Sequence, residues 1–301
     1  MAIVRFCSIL FVCLLLDACN SSNAVERNHL VVEAVLPDED FMPTTNTYSW
    51  LSNYDVKNAL VNRITVPKGF TRIEVEPNSF ADWLRYLPLK PGNPDVHLYN
   101  GELKRYQSGH AAVLDIDVGT TDLQQCADAV MRMRAEYLYS KKDYSSLHFN
   151  FTSGHTVGFK KWSEGYRTVI KGNSVTWSKN AAASDSYKTF KSYCTTIFNY
   201  AGTSSLSKEL KKVTDVKTIQ IGDVFILGGF PGHAVLVVDV CENKSTGEKL
   251  FLIQQSYMPA QEIHVLKNLN NSEISPWYSV NFSGDLETPE WTFTIEQLMR
   301  W

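Results

Sequence analysis

An α+β fold with one well-formed helix packed on an antiparallel sheet is predicted, on three observations. The strongest helical pattern follows Thr121, where Leu123, Cys126, Ala127, Val130, Met133, Tyr137 and Leu138 fall on one face. The C-terminal third carries three β-branched and aromatic runs, GDVFIL (Gly222 to Leu227), HAVLVVDV (His233 to Val240) and KLFLIQQS (Lys249 to Ser256). No proline- or glycine-rich break and no internal repeat divides the chain after Tyr48, so one large domain spans residues 48–301.

The elements follow in order. Met1 to Leu16 holds one basic residue, Arg5, and then the apolar run Phe6 to Leu16, ending in Leu16-Asp17-Ala18-Cys19. Eleven residues are too few to span a bilayer, which needs about 20 in a helix, so residues 1–18 read as a secretion signal. The segment resembles bacterial lipoprotein signals, which implies acylation of Cys19 and an exported, membrane-anchored envelope location. A plain signal peptide cut near Ala18 or Ala24 is the alternative, and export follows from either. Asn20 to Thr47 is polar and acidic with Pro37 and Pro43, and reads with Cys19 as a tether over residues 19–47.

Gly69 to Glu76 has strand character. Ser79 offers an N-cap with Asp82 three positions on, opening a short helix through Trp83 and Tyr86 that Pro88 and Pro91 end. His110 to Asp117 alternates as a half-buried strand, with Ala112, Leu114 and Ile116 on one side. The helix that follows takes Thr121 or Asp122 as its cap, which puts Cys126 four or five positions inside it. A second helix runs from Ser186 to Tyr200 with Phe190, Cys194, Ile197 and Phe198 inward. The three C-terminal runs, separated by GGFPG and CENKSTGE, form a meander that sets His233 opposite residues 255–257.

Composition excludes several functions. Lys and Arg total 29 against 32 Asp and Glu, a net charge of -3, with no footprint for nucleic acid. Six cysteines, three of them in the first nineteen residues, make no disulfide framework. No GxSxG, phosphate-binding loop or dinucleotide fingerprint is present, the histidines lack metal-ligand spacing, and no cofactor is expected.

A helix bearing a cysteine, then a meander that begins GDVF, continues GHAVLVVD and ends in a strand with polar residues, resembles the NlpC-like and CHAP-like papain relatives, cell-wall cysteine peptidases and amidases. The resemblance covers about a third of the chain, with about 95 residues between Cys126 and Gly222 as an insertion. It implies a papain-like core in which Cys126 is the nucleophile, His233 the base and Gln254 the side chain that orients the imidazole, with Gln255 or Ser256 as alternatives. Backbone amides at the start of the Cys126 helix would hold the oxyanion. The substrate implied is a cell-wall peptide amide, cleaved through an acyl-enzyme.

A second resemblance spans nearly the whole mature chain. DLQQCADAVMRMRAEYL (Asp122 to Leu138), GDVFILGGFPGHAVLVVDV (Gly222 to Val240) and QQSYMPAQEIHVLKN (Gln254 to Asn268) resemble an uncharacterised family of exported proteins of Bacteroides-type bacteria, domain of unknown function 4846. It implies an envelope location and no reaction.

Each residue also has a plainer reading. Cys126 and Cys194 fit small buried hydrophobes, Cys241 closes a strand, and His233 could satisfy a backbone group beside GGFPG. Asp223 would serve its turn, and His264 in EIHVL reads as an exposed strand residue. The aromatic content, 12%, includes Trp162 with Tyr166, Trp277 with Tyr278, and Trp291 beside turn formers. Flat faces of this kind stack on sugars, so a non-catalytic module binding glycan or peptidoglycan fragments is the competing function.

Overall fold

The computed structural model describes residues 46–282 and 284–301. The expected secretion signal, Cys19 and the expected tether as far as residue 45 lie outside them. The packed part begins before the expected Tyr48: Asn46 Nδ2 donates to Asp82 Oδ2 at 3.1 Å, and Trp83 Nε1 donates to the Thr47 carbonyl at 3.1 Å. Asn46 and Thr47 therefore do not belong to the tether.

Four helices and six strands position the site: α1 (Phe80–Arg85), β1 (His110–Val113), α2 (Cys126–Ser140), α3 (Tyr187–Tyr200), α4 (Thr203–Glu209), β2 (Val224–Leu227), β3 (His233–Glu242), β4 (Lys249–Gln255), β5 (His264–Leu266) and β6 (Leu298–Arg300). The main sheet has nine strands in the order β1-β5-β4-β3-β2-β6, then Lys211–Lys212, with Thr71–Arg72 paired to β3 and Tyr278–Ser279 to β4. All its pairings are antiparallel.

The expected meander is β2, β3 and β4, in register Leu227↔His233 and Gln254↔Leu236. Its middle strand is buried from His233 to Cys241, which suits a run of aliphatic residues covered on both faces. Ser79 caps α1, its hydroxyl accepting from the Asp82 amide at 3.1 Å, and Ser186 caps α3 likewise. The GFTRIEVE run forms a strand at Thr71–Arg72, with the Ile73 amide also donating to the Val240 carbonyl at 3.1 Å, and the strand read as His110 to Asp117 ends at Val113.

Charges inside the core are paired. Asp239, wholly buried on β3, accepts from Arg72 Nε at 2.6 Å and Arg85 Nε at 2.9 Å, fixing α1 and the Thr71–Arg72 strand to the sheet. Arg132 on α2 holds Glu136 at 2.6 Å, and Tyr187 donates to that carboxylate at 2.7 Å, tying α2 to α3. Leaving either carboxylate unpaired would cost about 3 to 5 kcal/mol. Asp223 does serve its turn, accepting from the Gln220 amide at 2.8 Å, and it also holds Arg300 on β6 at 2.6 Å.

Candidate active site

The helix carrying Cys126 starts later than its sequence suggests. Asp122 is no cap: its carboxylate accepts from the Ala260 amide at 2.7 Å and from Gln125 Nε2 at 3.0 Å. Gln125 is the N-cap residue, its amide donating to Asp128 Oδ2 at 3.0 Å, and Cys126 is the first residue of α2. Expected four or five positions inside the helix, the cysteine instead sits where the amides of the first turn have no acceptor within the helix and the dipole favours negative charge.

Cys126 is 8% exposed and lines a pocket of about 260 Å³. One wall comes from the stretch between the two sequence motifs, as Thr152, Phe198, Ala201, Gly202, Thr203 and Ser204 all face it. Phe198, at the end of α3, packs against the core as expected and also lines this cleft. At the mouth stand Phe230, 93% exposed, and Met258, 58% exposed.

Burial dominates the thiol. It pushes the Cys126 pKa up to about 11, with the Asp128 carboxyl adding to the rise and the amides of Ala127, Ala234 and Cys126 itself drawing it down. Asp128 is in turn pushed up to about 8 by its own burial, against the Gln125 amide. The Ala234 amide within reach of the sulfur belongs to the residue after His233, so the thiol lies against the start of the strand that carries the imidazole. Among the described residues no hydrogen bond joins the sulfur to either ring nitrogen, a looseness compatible with an unliganded catalytic pair.

His233 is 1% exposed and its Nε2 lies 2.9 Å from Gln255 Oε1. Its ring packs on Tyr257 at 4.8 Å, Trp291 at 5.2 Å and Phe293 at 5.7 Å between centroids. This enclosure pulls the imidazole pKa down to about 4, the bond to Gln255 opposing the fall. At neutral pH the resting pair is thus a thiol and a neutral imidazole. Tyr257 joins the two groups: it packs on His233, and its hydroxyl pKa is raised by burial first, then by Glu290 and Cys126.

The side chain bonded to the imidazole is Gln255, not Gln254. Successive strand residues face opposite ways. Gln254 pairs with Leu236, so Gln255 shares a face with Val235 and His233 and reaches the imidazole diagonally. Gln254 points the other way, with its buried Oε1 unbonded among the described residues. Ser256 is also unavailable, since its hydroxyl bonds to the carbonyls of Gln124 at 3.1 Å and Gln261 at 2.8 Å.

The glycine before His233 has a steric reason. A Cβ at Gly232 would meet Thr203 Oγ1 at 2.4 Å, the Gly229 carbonyl at 2.5 Å and the Leu227 carbonyl at 2.7 Å. Two of those atoms are backbone and cannot give way cheaply, so glycine lets the GGFPG loop close over α4.

Three groups around the imidazole were not foreseen. Glu290, Trp291 and Phe293 arrive on the hairpin that pairs Leu286–Glu287 with Thr292–Phe293. Gln255 Nε2 donates to Glu290 Oε2 at 2.7 Å, and Lys104 Nζ donates to Glu290 Oε1 at 2.6 Å. His264 is wholly buried on β5 rather than exposed, with its Nε2 3.4 Å from Gln255 Nε2. Sequence distance hid all of these, since Lys104, Gln255 and Glu290 share no local pattern.

The other candidates stay apart. Cys194 and Cys241 are buried thiols pushed up to about 12 by burial. Of the aromatic residues read for sugar stacking, Trp277 and Tyr278 are in the core, Trp162 is buried under Arg167 at 4.4 Å, Trp291 is half-buried against His233, and Tyr166 is half-buried beside Lys161 and Lys179. Among the described residues no three His, Cys, Asp or Glu side chains converge to hold a metal, and no helix is long and apolar enough to cross a membrane.

Fold and site together define a mixed α and β protein whose sheet aligns an imidazole with a glutamine amide beside a thiol at the start of a helix. The chain belongs to the family described as Domain of unknown function (4846), matched over residues 60–300. No curated protein and no solved structure matches it.

Proposed function

We propose that the protein is a papain-like cysteine hydrolase of the cell envelope, cleaving peptide amides with Cys126 as nucleophile, His233 as general base and Gln255 as its orienting partner. The observation that carries this reading is the 2.9 Å bond between His233 and Gln255 beside a thiol at the first position of α2, opening on a pocket. The Cys126 proton passes to the free nitrogen of His233 as sulfur attacks the amide carbonyl carbon, and first-turn amides of α2 stabilise the oxyanion. Collapse breaks the C–N bond, the imidazolium protonates the leaving amine, and water activated by His233 then cleaves the thioester, restoring the thiol.

Cell-wall peptides are the proposed substrates and export with acylation at Cys19 the proposed address, both on the strength of the sequence resemblances. A binding-only role draws support from the burial that keeps the thiol protonated and from the exposed Phe230 and Met258 at the cleft mouth. Purified peptidoglycan fragments incubated with the soluble domain and with Cys126→Ala, then analysed by mass, separate the two. New amine and carboxyl termini from the first protein alone support hydrolysis; identical products from both remove Cys126 from any mechanism.

A further inference from the structure

The tautomer of His233 is decided by groups that never touch it. A glutamine amide presents an acceptor on one side and donors on the other, so the imidazole proton depends on which way Gln255 faces. The Nε2 of Gln255 lies 2.7 Å from the Glu290 carboxylate, which in its ion pair with Lys104 only accepts. The same nitrogen lies 3.4 Å from His264 Nε2. His264 Nδ1 is 2.8 Å from the Glu262 carbonyl, which only accepts, so that nitrogen carries the proton. Burial pulls the His264 pKa down to about 3, leaving its Nε2 as a lone pair at neutral pH. Two independent acceptors thus face the amide nitrogen of Gln255, and its oxygen must face His233. His233 then carries its proton on Nε2, and Nδ1 is left to act as base.

We propose that Glu290, held by Lys104, is a positioning residue that acts together with His264 to orient the Gln255 amide and through it the base-competent tautomer of His233. The role presupposes the hydrolase reading, whereas the tautomer itself does not. Lys104, 6% exposed, also donates to the Tyr106 carbonyl at 2.8 Å, so its ammonium is anchored toward Glu290.

The consequence is specific to one conservative change. In Glu290→Gln, Lys104 can only donate and captures the new amide oxygen. The new NH2 group then faces Gln255, which must turn its own oxygen toward it and its NH2 toward His233. Nε2 of His233 becomes an acceptor, Nδ1 takes the proton, and the base is lost. The charge-assisted bond from Lys104 outweighs the 3.4 Å contact to His264 that resists the flip.

The test is nitrogen-15 NMR of histidine-labelled protein, with peptidoglycan-fragment turnover measured in parallel for wild type, Glu290→Gln, Glu290→Ala and Lys104→Met/Glu290→Gln. The wild type should show His233 protonated at Nε2. Glu290→Gln should show the Nδ1 tautomer and lose about 100-fold or more in kcat with KM little changed, since a wrong tautomer spares geometry while removing the base. Removing Lys104 in that background frees the new amide to turn, and should restore both the Nε2 proton and at least about tenfold of the lost rate. Glu290→Ala should keep the Nε2 tautomer through His264 and lose less activity than Glu290→Gln. An unchanged tautomer in folded Glu290→Gln would overturn the proposal, as would equal losses in the Gln and Ala variants. Turnover that survives in Cys126→Ala, assayed alongside, would overturn the hydrolase reading instead, leaving the tautomer result standing.

Discussion

Cys126 and Cys194 sit on neighbouring packed helices, and burial raises both thiols, yet only one is placed for chemistry. Cys194 lies in the middle of α3, 2% exposed, with the Arg132–Glu136 pair among the charges that act on it. Cys126 is only a little more exposed, but it opens α2, has three backbone amides within reach of its sulfur, and faces a pocket next to the strand of His233. Position along the helix and the adjoining strand, rather than burial, separates a reactive candidate from a core residue.

The largest effect expected from breaking that contrast is on turnover. Cys126→Ala should reduce peptide hydrolysis at least about 1000-fold with the fold intact, while Cys194→Ala should keep kcat and lose about 1 kcal/mol of stability in denaturant unfolding. Comparable activity losses from the two would erase the distinction.

Alkylation sharpens it without needing a substrate. Under native conditions iodoacetamide should label Cys126 about 100-fold faster than Cys194, because only the former meets a pocket. Its rate should climb about tenfold per pH unit toward the pKa of about 11, as expected for a neutral resting pair. A plateau beginning near pH 6 would mean a thiolate–imidazolium pair at rest.

The acid effect is read on stability and not on turnover. The folded pKa values of His233 and His264 lie below the ordinary 6.5, so the unfolded chain binds protons first as pH falls. The share of stability from these two histidines is therefore complete above about pH 6.5 and is lost on descent through about pH 4, His233 alone contributing about 3 kcal/mol to that change. Replacing His233 with asparagine should remove that share of the slope in unfolding measured between pH 7 and 4, and an unaltered slope would place its pKa near the ordinary value.

What could be read from the chain was local. The cap at Ser79, the helix from Ser186 and the aliphatic meander follow from spacing of two to four residues, and the structure has them. The start of α2 was misread because Asp122 resembles a cap, whereas its carboxylate is spent on the distant Ala260 amide. Gln254 was preferred to Gln255 because a one-residue change of register reverses a strand's faces, and register depends on where the loop after β3 closes. Glu290 and Lys104 lie 186 positions apart and meet only in three dimensions.

The central claim is that Cys126 becomes acylated during turnover. Acid-quenched incubation with peptidoglycan peptides, followed by proteolysis and mass spectrometry, should find the acyl fragment as a thioester on the peptide containing Cys126, absent in Cys126→Ala. Hydrolysis proceeding at the wild-type rate in Cys126→Ala, or an acyl group carried on any other residue, would contradict it.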